Sequence, residues 1–277
     1  MEQQTTKSSP TGKTLIILGL VSIAILFLLY ARYQDSELMT PEVIDPIQRM
    51  AISFYIILVL AFGAISFGLY QFHKQKVKEN GKSIISIIAN ITWNNKSRKI
   101  FVATFVIYGI FFSLFSGTLV YQPEVSFAHH YGAVIPSAII FPCCDQPGYM
   151  PEILVYLTDH VGLQIIPINL VLQVVVSYLV GLNTAIAVSA YSISKKGHGT
   201  STIGAITGLF IACPTCSASF LSLFIGTASG IALSIALTQL QTLFIAISIP
   251  ILLTTPFIMA RKLKNSGIDC SKPSDLF

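Results

Sequence analysis

Residues 203–225 read IGAITGLFIACPTCSASFLSLFI, and this stretch decides the architecture. It lies within a longer run, 197–260, that holds no Asp, Glu, Lys or Arg. A helix needs about 20 apolar residues to cross a bilayer, so the run has length for two or three crossings. Lys195 and Lys196 precede it, and Arg261, Lys262 and Lys264 follow. Lys and Arg gather in cytoplasmic loops, so both flanks belong on one side and the number of crossings is even. The run therefore holds spans at 203–225 and 240–260, with a turn near Gly226-Thr227-Ala228-Ser229-Gly230.

Composition agrees. The chain is 53% hydrophobic and 10% charged, with a mean hydropathy of +0.72. Soluble domains are about a quarter charged, so this is a membrane protein. Further apolar runs at 14–31, 51–72, 100–120 and 166–192 supply the remaining spans. Between the second and third stand Lys74, Lys76, Lys78, Lys82, Lys96, Arg98 and Lys99, again a cytoplasmic cluster. The expected fold is all-α: a polytopic membrane helix bundle forming a single transmembrane domain over 1–277, with six spans and both termini cytoplasmic. Only Arg32 and Arg49 of the 17 basic residues then lie outside. Asp35, Glu37, Glu42, Asp45, Glu124, Asp145, Glu152 and Asp159 do so among the 12 acidic ones.

The net charge of +5 does not point to nucleic acid, because the basic residues group beside apolar runs. Lys7 and Lys13 before 15–31 resemble a signal peptide. No small-x-small cleavage site follows, since the run ends Tyr30-Ala31-Arg32-Tyr33, and a retained anchor is expected. The expected location is the plasma membrane, with the lipid bilayer as first partner and a membrane protein or a second copy as further ones.

Two connecting segments carry structure. In 83–93, Ile84, Ile87, Ile88 and Ile91 recur at helical spacing, which predicts a short helix along the cytoplasmic leaflet, with a partner helix as the alternative. The outer loop, 121–160, contains an apolar run, 132–142, too short to span. It is expected to be re-entrant or interfacial, returning at Pro147-Gly148, and sheltered from lipid by helices. Glu152, Asp159 and His160 are expected on the wet face of an interfacial helix over 151–160.

The chemistry rests on cysteine. Cys213 and Cys216, three apart, share a helix face. Cys213 lies ~15 Å along the helix from residue 203, near mid-membrane. Pro214 removes a backbone donor, frees the Phe210 carbonyl and bends the helix. Two thiolates there suit Cu(I) or another soft metal better than a hard ion. The same pair suits thiol–disulfide exchange, or plain packing beside Ser217, Ser219 and Ser222. Cys143 and Cys144 are neighbours, for which a mutual disulfide is strained; they pair elsewhere, stay reduced or bind metal. His129, His130 and Asp145, with Glu124 nearby, are the candidate outer capture groups; solvated surface residues are the alternative. Asn169, Gln173 and Asn183 are expected to make interhelical hydrogen bonds. Cys270 is assigned no role.

No predicted span has an Asp, Glu, Lys or Arg in its interior, which disfavours ion-coupled carriers. No Gly-x-x-x-x-Gly-Lys, Gly-x-Ser-x-Gly or His-Glu-x-x-His is present, so ATP-driven and hydrolytic chemistry lack support.

The stretches 141–151 (FPCCDQPGYMP), 209–216 (LFIACPTC) and 248–256 (SIPILLTTP) resemble uncharacterised multispan membrane proteins of ammonia-oxidising archaea. The resemblance covers about the C-terminal half and implies a membrane location without an activity. Cys143-Cys144 is similar to the adjacent cysteines of mercuric-ion transporters. Cys213 and Cys216 are similar in placement to the intramembrane cysteines of cytochrome c biogenesis thiol carriers, which place theirs on separate helices. Three functions follow as expectations: soft-metal binding or transport, transmembrane thiol–disulfide exchange, or a non-catalytic subunit of a larger membrane complex.

Overall fold

The computed structural model describes residues 11–32, 44–78, 83–142, 148–196 and 249–261. Four helices are long and apolar enough to cross a membrane: α1 (Thr11–Ala31), α2 (Ile44–Lys78), α4 (Asn95–Phe115) and α6 (Pro167–Lys196). They coincide with the first four expected spans. A short helix α3 (Ile84–Trp93) precedes α4, and a further apolar helix, α7, covers Ile249–Arg261. The expected span at 203–225 lies outside the described residues.

The structure corrects an all-α reading. Between α4 and α6 the chain builds β1 (Leu119–Tyr121), the one-turn helix α5 (Phe127–Tyr131), β2 (Ser137–Phe141), β3 (Glu152–Tyr156) and β4 (Val161–Ile165). The strands form one antiparallel sheet in the order β1-β4-β3-β2. Helix α4 stops before the expected end at 120 because Gly117 adopts φ +73°, a left-handed conformation open to glycine.

The apolar run expected to dip into the membrane is instead strand β2. It does return on itself, but through β3, with Ser137 opposite Tyr156 and Phe141 opposite Glu152. Pairing with β3 meets the backbone hydrogen bonds along one edge of β2, which a re-entrant loop would have to find among helices. The expected interfacial helix over 151–160 is likewise β3 and its turn into β4. Ile153, Val155, Val161 and Ile165 are β-branched and favour the pleated surface.

The chain forms two compact units. In the first, Tyr30 of α1, Phe54 and Leu58 of α2 and Met150 make a buried cluster. Phe54 meets Phe27 and Tyr30 edge-on at ring separations of 5.4 and 5.2 Å, a favoured aromatic geometry. Helices α1 and α2 approach closely at glycine: a Cβ on Gly68 would lie 2.9 Å from the Gly12 carbonyl oxygen.

The second unit packs α3, α6 and α7 together. Ile87 and Ile88 of α3 are buried with Leu182, Ile186 and Ala260. The apolar face of α3 is thus covered by the protein's own helices, which corrects the expectation that it lies on lipid. Val176 and Leu179 of α6 bury against Leu252 of α7, and the Ser97 and Ser189 hydroxyls hydrogen-bond at 2.9 Å.

Candidate functional site

The segment between β2 and β3 contains Cys143, Cys144 and Asp145, which lie outside the described residues, as do Cys213, Cys216 and Cys270. Both flanks of the Cys143-Cys144 segment are described, and each is fixed by a specific bond. On one side, the Tyr30 hydroxyl at the end of α1 donates to the Pro142 carbonyl at 2.5 Å. On the other, the Gly148 carbonyl accepts from the Ile168 amide at 3.1 Å. Ile168 is the second residue of α6, one of the opening amides that has no intrahelical acceptor, and Gly148 supplies it. Pro167 opens the helix where its missing N–H costs nothing.

The sheet is tied to α2 by a second tyrosine. The Tyr55 hydroxyl lies 2.6 Å from the Pro151 carbonyl and 2.9 Å from the Ile165 carbonyl, clasping the start of β3 to the end of β4. Tyr30 and Tyr55 were not singled out by the sequence reading. Their signal was available: tyrosines toward the ends of apolar runs, where an amphipathic ring has a polar partner within reach.

The histidines occupy α5 and the turn beside it. His129 and His130 are both exposed, and as consecutive helical residues they point about 100° apart. Ser126 caps α5, accepting from the His129 amide at 3.4 Å and donating to the Asp159 carboxylate at 3.3 Å. The His160 Nδ1 lies 3.0 Å from the Val125 carbonyl and 3.2 Å from that of Gln122. A ring nitrogen facing carbonyl oxygens carries the proton, so His160 acts here as a donor that pins the loop before α5. Asp159 and His160 therefore hold α5 against the β3–β4 turn. Among the described residues, no three His, Cys, Asp or Glu side chains gather in a group able to hold a metal ion.

Polar residues of α6 behave as expected of a spanning helix. Gln173 donates to the Ser113 hydroxyl of α4 at 2.6 Å. Asn183, buried, donates to the carbonyls of Leu179 and Leu252, each at 2.9 Å. Leu252 has a reason to need that donor. Four residues on stands Pro256, whose nitrogen bears no hydrogen, so the normal intrahelical bond to the Leu252 carbonyl cannot form. Asn183 repairs α7 from outside. Its own Oδ1 is buried and has no hydrogen-bond partner among the described residues.

The chain matches no family model, and no curated protein or solved structure shows significant similarity to it.

Proposed function

We propose that this is an integral membrane protein of thiol-based soft-metal handling, binding or transporting a Cu(I)-like ion. Cys213 and Cys216 hold the ion within the bilayer, and Cys143 and Cys144 capture it beforehand. The observation that carries this reading is the Cys-Pro-Thr-Cys motif inside a run free of Asp, Glu, Lys and Arg. A thiolate in such surroundings is strongly disfavoured unless a soft cation compensates it, and two at helical spacing supply two such ligands. The outer group adds support: the residues on either side of it, Pro142 and Gly148, are bonded by Tyr30 and Ile168 at the ends of two apolar helices, a suitable station for loading. The same proposal has six spans, with both termini cytoplasmic and the plasma membrane as location.

Elemental mass spectrometry tests it. Protein purified anaerobically in mild detergent should carry about one soft metal ion per chain, lost in the Cys213→Ser/Cys216→Ser variant. Metal-free wild type, with Cys213 and Cys216 cycling between thiol and disulfide, would shift the assignment to thiol–disulfide exchange. A double variant that retains both the metal and the cellular phenotype would leave the role of membrane-complex subunit.

A further inference from the structure

The first unit contains a cavity of about 410 Å³, walled by side chains of α2, α4 and α6 and by strands β3 and β4. Val59, Ile153, Leu163 and Leu170 give it a hydrocarbon lining. Its few polar groups engage protein: Gln173 bonds Ser113, and Tyr55 bonds the two strand carbonyls. Among the described residues, no Asp, Glu, Lys, Arg or His borders it. An apolar lining, rather than size, makes a cavity favour hydrocarbon over water: one of ~150 Å³ lined by apolar side chains takes up benzene. Bare walls also forgo dispersion contacts that an apolar occupant restores.

The mouth identifies the source of that occupant. Val59 lines the cavity yet is 64% exposed, and its α2 neighbours Ile56 and Leu60 are exposed too. These residues lie in a helix apolar enough to cross a bilayer. The cavity therefore opens on a surface suited to lipid rather than to water.

We propose that this cavity is a binding site for one hydrocarbon chain of a membrane lipid, inserted past Val59 between α2, α4 and α6. The site needs no headgroup recognition. Its selectivity is for an unbranched or lightly branched apolar chain, held by walls whose polar groups are already engaged.

Photolabelling tests this in vesicles of phosphatidylcholine doped with a phosphatidylcholine bearing a diazirine on its acyl chain. Adducts, mapped by peptide mass spectrometry, should be enriched about threefold on 113–118 and 163–173 relative to the exposed α1 face around Leu18 and Leu28, the difference between an occupied site and passing lipid contact. Val59→Trp, at an exposed position that admits a larger ring without crowding the core, should erase that enrichment and leave α1 labelling unchanged. Equal labelling of the cavity and α1 in wild type overturns the proposal, whether or not the variant folds. So does enrichment that survives Val59→Trp in a folded variant. A third arm carries the diazirine on a free fatty acid: enrichment with that probe alone would overturn the assignment to a bilayer lipid.

Discussion

The two units supply side-chain donors to backbone carbonyls by different means. In the first, tyrosine hydroxyls at the edges of apolar packing reach out to carbonyls of extended chain, at Pro142, Pro151 and Ile165. In the second, short polar side chains act between helices: Ser97 with Ser189, and Asn183 with Leu252. The difference follows from what each unit must accommodate. A sheet set on helix ends has strand termini whose carbonyls need donors, and a long side chain with a terminal O–H spans that gap. A bundle with a proline in one helix has a carbonyl exposed deep inside, which only a compact donor on an adjacent helix can reach. Helices α4 and α6, each of which contributes to both units, differ in burial: 6% of the apolar window of α4 is buried against 44% of that of α6. Helix α6 is the one carrying Gln173, Ser177, Asn183 and Ser189. Ser113 and Ser97, the partners of Gln173 and Ser189, stand on α4, so the polar groups of both helices meet on the faces turned to each other.

The largest effect should come from breaking the first unit at its backbone approach. Gly68→Ala puts a methyl 2.9 Å from the Gly12 carbonyl and 3.1 Å from the Ile16 amide nitrogen. Both are main-chain atoms with no rotamer to yield, so α1 and α2 must separate. Overpacking of this kind costs about 1–3 kcal/mol, to be read from reversible unfolding in mixed detergent micelles. The Ser97–Ser189 pair in the second unit should be untouched. A melt as stable as wild type would mean that the two helices are not held at this crossing.

Tyr55→Phe should rank next. It keeps the ring in its aromatic cluster and deletes the hydroxyl shared by the Pro151 and Ile165 carbonyls. Expected destabilisation is about 1–1.5 kcal/mol, with amide exchange accelerated in β3 and β4 but not in α7. Acceleration spread evenly over both units would erase the distinction drawn between them.

How legible this molecule is in its sequence depends on which physical pattern carries each part. The four long helices and the start of α6 at Pro167 follow from hydropathy and from the fixed φ of proline. The sheet does not. Ile139-Ile140-Phe141 is a continuous apolar run without alternation, and periodicity cannot separate such a strand from a short buried helix. The β-branched density of 153–165 was the available signal. For α3 the amphipathic spacing showed that Ile84, Ile87 and Ile88 would be covered; whether by lipid or by Leu182 and Ile186 is a tertiary matter. The candidate site was read through its cysteines, and their reactivity is a property of residue type and spacing. The tethers on either side of Cys143-Cys144 depend on side chains more than a hundred positions away in one case, and no local pattern encodes that.

The smallest effect is also the most discriminating, because it changes sign with background. Asn183→Leu removes the donor to the Leu252 carbonyl, but it also removes an Oδ1 that is buried without a partner among the described residues. These terms oppose each other, so the net cost should be only about 0.5–1 kcal/mol, the usual scale of interhelical bonds in membranes. Pro256→Ala restores the amide hydrogen at position 256, and the Leu252 carbonyl then has its own helical donor. In that background Asn183 has nothing to repair and still carries its unpaired oxygen. Asn183→Leu should there be neutral or stabilising, giving a coupling of about 0.5–1.5 kcal/mol across the cycle. An equal cost in both backgrounds would mean that Asn183 packs rather than repairs.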